Sequence, residues 1–354
     1  MKLLITGAAG FIGYHIVRDL IQREGMQIIG LDNINNYYDV NLKYDRLAEC
    51  GINRNSIIDK ASCKSAIFPN YTFYKADIAD SETLNRIFGK EKIDVVIHMA
   101  AQAGVRYSIE NPHAYVLSNL VGFANVLECC RHHKIKHLVY ASSSSIYGQN
   151  NEEPFRESDN VDYPVSFYAA TKKSNELMAH TYSHLYQLPT TGVRLFTVYG
   201  PWGRPDMAPM LFADSIKKGK GIHVFNHGNM LRDFTYVEDI VKGIVLLLER
   251  MPDAKTEHPF YQIYNIGNSA PVKLMDFIQT MEGAMGKKAI LEMLPMQPGD
   301  VTTTYADTTK LMHDTGYKPA TKLTEGIAKF VEWYNSYFNR PTQFFVFFDE
   351  QTAI

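Results

Sequence analysis

Lys2-Leu3-Leu4-Ile5-Thr6-Gly7-Ala8-Ala9-Gly10-Phe11-Ile12-Gly13 opens the chain and decides its fold. The apolar run Leu3 to Ile5 ends in a GxxGxxG turn at Gly7, Gly10 and Gly13, and Ile12, Ile16, Val17, Leu20 and Ile21 then recur at the spacing of one buried helical face. The order is strand, turn, helix. Glycine lets the backbone turn tightly and come close to a pyrophosphate, while the helix start, where Phe11 and Ile12 sit, offers unpaired N–H groups and a favourable dipole. Alone the motif is weak, because a glycine-rich turn without a ligand reads the same way.

The pattern recurs down the chain. Gln27–Leu31, Tyr71–Lys75, Val95–His98, Leu138–Ala141 and Thr191–Leu195 read as further strands, with helical stretches between most of them. Short apolar runs alternating with amphipathic helices predict an α/β fold, a Rossmann-type doubly wound parallel sheet covered on both faces. From Met207 the texture turns irregular, with isolated helices such as Val237–Leu248 and Thr324–Tyr337. This predicts a dinucleotide-binding domain over 1–200, to which the chain partly returns after 230. A smaller C-terminal α/β lobe over 201–340 would bind the substrate, followed by a tail over 341–354 of unassigned role. Cys50 to Asn70 reads as a polar surface loop with one helical turn, and Phe344-Phe345-Val346-Phe347-Phe348 in the tail as an apolar stretch packed onto the body or a neighbouring subunit.

Composition excludes several classes of function. With 354 residues, 45% of them apolar, the chain can bury a large core; 36 basic and 38 acidic residues leave a net charge of −2 and no field that would gather nucleic acid or anionic lipid. No transmembrane or targeting segment is visible. The four cysteines, Cys50, Cys63, Cys129 and Cys130, form neither a CxxC pair nor a metal framework, which reads as reduced thiols in a cytoplasmic protein. The twelve histidines show no ligand spacing, so no metal is expected.

Asp32 ends the second strand and gives the glycine turn its meaning, since a carboxylate there accepts hydrogen bonds from a ribose diol and repels a 2′-phosphate. NAD is therefore the expected cofactor, with Asn33 beside the same ribose. Asp77 and Ile78 follow the third strand, where they can lie along the adenine, although Asp77 reads equally as a helix cap. Met99, Ala100, Ala101 and Gln102 follow the fourth and would floor the crevice. Asn119, in a helical stretch, is a cofactor contact or a core-bonded amide.

Tyr168 and Lys172 lie four residues apart, one turn of a helix, so both can reach one site. A nearby ammonium and an oxidised nicotinamide would stabilise a phenolate and let the tyrosine act as a base. Ser143, in the run Ser142 to Ser145 at the end of the fifth strand, can donate to and accept from a substrate hydroxyl as that group loses its proton to Tyr168.

Together with Arg232-Asp233-Phe234, these motifs resemble the extended short-chain dehydrogenase/reductase family of nucleotide-sugar epimerases, dehydratases and decarboxylases. The resemblance spans about residues 1 to 337. Three stretches are similar to the UDP-glucuronate 4-epimerases in particular: Asp32 to Val40, Gly104 to Ser108, and Gly200 to Ala208. The resemblance implies a catalytic set of Ser143, Tyr168 and Lys172, an Arg204 that clamps a uronate carboxylate with Asp206 orienting it, and bound NAD. Dehydratases of the family carry an Asp-Glu pair beside the active serine, and the decarboxylases a glutamate. Ser144 and Ser145 stand there instead, which leaves hydride transfer to and from C4 as the implied reaction.

Arg232 is the expected phosphate contact of the UDP-sugar, with Asp233 fixing its direction, and Ser144, Thr197, Arg106 and Asp300 are further candidate substrate contacts. A homodimer through the helices around Tyr115–Arg131 and Ser166–Tyr186 is implied as well. A 4-epimerase of neutral or N-acetylated UDP-hexoses, in which Arg204 would be idle, a UDP-glucuronate decarboxylase and a non-catalytic NAD-binding regulator are the competing readings.

Overall fold

The computed structural model describes residues 1–150, 152–297 and 300–339; Pro298, Gly299 and the phenylalanine-rich tail lie outside the described residues. In the first half, β1 (Lys2–Thr6), β2 (Gln27–Asp32), β3 (Ser62–Lys64), β4 (Tyr71–Lys75), β5 (Val95–His98), β6 (His137–Ser143) and β7 (Thr190–Leu195) alternate with helices. These are α1 (Phe11–Leu20), α2 (Val40–Glu49), α3 (Ser81–Glu91), the short α4 (Tyr107–Glu110) and α5 (Pro112–Tyr115), α6 (Gly122–His132) and α7 (Phe167–Tyr186). A π-helical segment, Val116–Val121, leads into α6.

Beyond Leu195 come β8 (Thr197–Tyr199), α8 (Ala208–Lys218), β9 (Gly221–Val224), β10 (Leu231–Arg232), β11 (Phe234–Tyr236) and α9 (Val237–Leu247). β12 (Tyr261–Ile266), β13 (Val272–Lys273), α10 (Leu274–Met285), β14 (Ile290–Met293), α11 (Thr309–Thr315) and α12 (Leu323–Phe338) complete the described chain.

The main sheet runs β12-β7-β6-β5-β1-β2-β4-β3, parallel at every pairing except β3 on β4. Its strands read as apolar runs because both faces are covered. Leu3 and Ile5 of β1 enter one core with Ile16, Val17 and Ile240, while Leu4 between them enters the other with Ile87, Val96 and Val126. Each such side chain contributes roughly 1.5–3 kcal/mol on burial. Strand order reverses between β1 and β5, and the crevice at the carboxyl ends of these strands is where open α/β sheets take their ligands.

Two segments differ from expectation. The stretch Cys50 to Asn70 contains the expected turn, Arg54–Ser56, but also β3, which pairs antiparallel with β4 and closes that edge of the sheet. Three mostly polar residues are too short for a strand period to show. At the other edge β12 pairs with β7, and α9 packs on the same face as α1. A separate core of Met210, Phe212, Phe234, Phe277, Phe330 and Tyr334 holds the smaller lobe together.

Candidate active site

One cavity of about 670 Å³ runs along the carboxyl ends of the sheet and under the smaller lobe. It begins at the glycine turn. Gly7 has φ +72, and a Cβ there would lie 2.8 Å from the Ala100 nitrogen; one on Gly13 would lie 2.1 Å from the Gly7 carbonyl. The absence of both side chains lets the turn fold onto β5 and lets α1 start directly above it. Gly10 caps α1 without a side-chain hydrogen bond, so the helix start keeps donors for an anion. Asp32 is buried at the tip of β2, accepting from Ala9 N at 3.1 Å and Ile34 N at 2.8 Å. Each carboxylate oxygen retains a lone pair, and Asp32 lines the cavity. Asn33, Ile78, Met99, Ala100, Ala101 and Gln102 line the same end. A pyrophosphate at the helix start, a ribose diol at Asp32 and a flat ring over the alanines all suit this lining, so a dinucleotide fits.

Asp77 and Asn119 do not line the cavity. Asp77 accepts from the Asn33 side chain at 2.9 Å and from Ala79 N at 2.8 Å, the bonding of a turn carboxylate that also braces Asn33. Asn119 sits in the π-helical segment with both amide hydrogens engaged: it accepts from Gln102 N at 2.8 Å and donates to Gln102 O and Thr171 Oγ1, each at 3.0 Å. Its amide ties the floor of the crevice to α7.

Ser143 at the end of β6 and Tyr168 and Lys172 on α7 meet at the middle of the cavity. Ser166 caps α7 by accepting from Ala169 N at 3.1 Å, which sets the helix start and hence the Tyr168 ring. Burial pushes the Tyr168 phenol up from its ordinary range, while the Ser143 hydrogen bond and the Arg204 charge pull it down. The sequence assigned that help to Lys172. Instead Lys172, 3% exposed, turns its Nζ to the Ala141 carbonyl at 2.8 Å, and burial lowers it to about 8. Its neighbour on β6, Ser142, donates at 2.6 Å to Glu176, which forms a buried ion pair with Arg194.

Across the cleft stand three arginines. Arg204 lies on the loop after β8, with its Nε donating to Asp206 Oδ1 at 3.0 Å and its Nη2 to Oδ2; Tyr37 donates to Oδ2 at 3.1 Å. That arrangement uses one edge of the guanidinium and leaves the Nη1/Nη2 end free for a second carboxylate. Arg232 has no ion pair among the described residues. It donates to the carbonyls of Leu231, Val301 and Thr302 at 2.7–3.0 Å, and burial lowers its pKa, with Asp300 opposing.

Asp233 does not direct Arg232, contrary to expectation. Its buried carboxylate faces the other way and accepts from the backbone N–H groups of Asn268, Ser269 and Ala306 and from the Thr235 hydroxyl. Arg106 reaches Asp300 at 3.5 Å and stacks over Phe225 at 4.9 Å. Ser144 and Thr197 line the wall between the two lobes. Tyr37 and Tyr38, in the stretch Asp32 to Val40, have no role legible in the sequence. The signal was their density of aromatic side chains directly after β2, and both line the cavity.

The chain matches the model of the NAD dependent epimerase/dehydratase family over residues 3–267. It is 50% identical to Protein CapI of Staphylococcus aureus, over 96% of this chain and all of that one. It is 46% identical to a probable UDP-glucuronate 4-epimerase of Rhizobium meliloti, over 96% of this chain and 98% of that one. Among solved structures, the UDP-glucuronic acid 4-epimerase of Bacillus cereus, in complex with UDP-glucuronic acid and NAD, superposes with a TM-score of 0.83 at 30% identity, covering 95% of this chain and all of that one. A family model matched over most of the chain and a relative of this identity agree with the fold and the cavity, and the chain belongs to the NAD dependent epimerase/dehydratase family.

Proposed function

We propose that this protein inverts C4 of UDP-glucuronate to give UDP-galacturonate, with NAD as resident cofactor. The observation that carries the substrate is the free end of Arg204 in the cavity beside Tyr168. A guanidinium already oriented by Asp206 suits a carboxylate on the sugar. The names of the relatives support the same reading.

The dinucleotide would lie on the glycine turn, Asp32, Asn33 and the Met99–Gln102 floor, and when bound it supplies a nicotinamide that accepts a hydride and returns it. The chain's own residues do the rest. Tyr168 Oη takes the proton of the sugar 4-hydroxyl, Ser143 Oγ shares that hydrogen bond, and Lys172 holds the end of β6 in place and would donate to the ribose of the bound nicotinamide. The resulting 4-ketone turns about its link to UDP, which Arg232, with Arg106, Asp300 and Thr197 around it, grips in the smaller lobe. Tyr168 then returns the proton as the opposite face is reduced.

The ketone is also a β-keto acid, which loses CO2 when its C5–carboxylate bond aligns with the carbonyl π system. Arg204 holds the carboxylate out of that alignment. No carboxylate stands at Ser144 or Ser145 to move a second proton.

We place this chemistry in a cytoplasmic homodimer, with the cofactor on residues 1–200 and the sugar nucleotide under 201–340. Ile109, Leu117, Val121, Leu177 and Leu185 are 43–62% exposed along α4, the π segment and α7, an apolar stripe that a second copy would cover. Leu177→Lys is expected to give a monomer by sedimentation. Among the described residues no helix is long and apolar enough to cross a membrane.

The test is incubation of the purified protein with UDP-glucuronate and no added cofactor. UDP-galacturonate is expected, and Tyr168→Phe is expected to lower the rate by about 10²–10⁴-fold. Formation of UDP-pentose as the main product, or turnover of UDP-glucose alone, would overturn the uronate epimerase.

A further inference from the structure

Arg46 on α2 is wholly buried, and every bond it makes among the described residues goes to a neutral oxygen. Its Nη1 donates to the Ala9 carbonyl at 2.9 Å and to Tyr38 Oη at 2.7 Å. Its Nη2 donates to the carbonyls of Trp202 at 2.6 Å and Gly203 at 3.3 Å. Ala9 lies within the glycine turn, and Gly203 directly precedes Arg204. One guanidinium therefore spans the loop that would cradle the pyrophosphate and the loop that presents Arg204.

The second loop needs holding. Trp202 has φ +61, a left-handed conformation that a bulky side chain adopts only under strain. That conformation aims the Trp202 carbonyl at Arg46. The preceding carbonyl, Pro201 O, meets His15 Nε2 of α1 at 2.9 Å, and burial lowers that imidazole to about 4, so it is a neutral ring donating its N–H. Three successive carbonyls, 201 to 203, are thus gripped from the cofactor lobe, and the Trp202 indole packs against Tyr14, Trp333 and Tyr337. Burying a cation that has no ion pair among the described residues is a poor way to gain stability.

We propose that Arg46 is a positioning residue that ties the aim of Arg204 to the glycine turn, so that the carboxylate clamp is set by the same side chain that braces the cofactor loop. The proposal rests on the reading of Arg204 as that clamp.

The chain holds two tryptophans, Trp202 and Trp333, so a Trp333→Phe parent leaves Trp202 as the sole indole reporting on the loop. Its holoenzyme is compared with one that also carries Arg46→Lys. Acrylamide quenching of Trp202 is expected to rise about twofold. The KM for UDP-glucuronate is expected to rise about tenfold, the loss of one or two charge-assisted bonds, with kcat within about threefold and inhibition by UDP, which has no carboxylate, unchanged. A merely structural arginine would lower the thermal midpoint and leave quenching and the uronate KM of the folded enzyme at parental values, and that result overturns the proposal. If Arg46→Lys does not fold, Tyr38→Phe removes one acceptor from Nη1. It is expected to move quenching and KM the same way by less, and parental values there also overturn the proposal. If the parent leaves UDP-glucuronate unchanged, the functional reading is what fails, and the quenching difference decides the role of Arg46 by itself.

Discussion

The loop after β8 and the strand β10 each bring an arginine to the same cleft, and the two are compensated in opposite ways. Arg204 is paired along one edge with Asp206, while Arg232 has no ion pair among the described residues and is held by three carbonyls and the Met230 sulfur, with the Asp300 charge acting from further off. A carboxylate partner fixes a guanidinium in one plane and reduces its net field, which suits selecting one orientation of one sugar carboxylate. A guanidinium held by carbonyls keeps its charge, which suits a diphosphate common to every UDP-sugar. Residue type is equal at the two positions; what surrounds each decides whether it gives direction or charge.

Lys172 is the extreme of the series, a buried ammonium with one carbonyl for company, and it offers the largest test of the comparison. Its pKa in the folded protein, about 8, lies below the ordinary lysine value. Folding therefore works against a buried charge below pH 8, and the penalty is relieved as the pH rises from about 8 toward 10.5. In cofactor-free protein the stability difference between wild type and Lys172→Met is expected to shift in favour of wild type by up to about 3 kcal/mol over that window, by urea denaturation. A flat difference would show that the ammonium is better solvated than its burial indicates.

Next comes Arg232→Met, expected to raise KM about 100-fold for uronate and neutral UDP-sugars alike, because the diphosphate loses a cation that no carboxylate is bonded to among the described residues. Arg204→Met is expected to raise KM about tenfold for UDP-glucuronate alone and to increase UDP-pentose as a by-product, read by chromatography of the products. If both variants affect neutral and acidic substrates equally, the division between charge and direction is wrong. The smallest effect is expected of Asp206→Asn. It keeps an acceptor for Arg204 but removes the charge, so pentose leakage should rise about threefold with little change in KM.

Much of the fold was legible because parallel strands buried on both faces are nearly continuous apolar runs. β1, β2, β4, β5, β6 and β7 were all read within a residue or two at each end. β12 escaped because Tyr261-Gln262-Ile263-Tyr264-Asn265-Ile266 carries polar groups, and its place was set by pairing with β7, seventy residues earlier in the chain. At the site, local spacing sufficed for Tyr168 and Lys172, which share a helical face, and for the glycine turn. It failed where direction mattered. Adjacency suggested that Asp233 would steer Arg232, but Asp233 lies in the link between β10 and β11 and instead anchors 268–269 and 306. The meeting of Arg106 with Asp300, nearly two hundred residues on, left no local trace.

The late arrival of β12 bears on how the protein is made. When residue 200 has left the ribosome, β7 stands as a bare parallel edge whose partner, Tyr261–Ile266, is still to be synthesised. At about 5–20 residues per second that edge waits several seconds before its hydrogen bonds are met. A stall or premature stop in that interval would release a chain with nearly all of its cofactor cradle and an open seam, a natural substrate for holding chaperones and a seed for inclusion bodies.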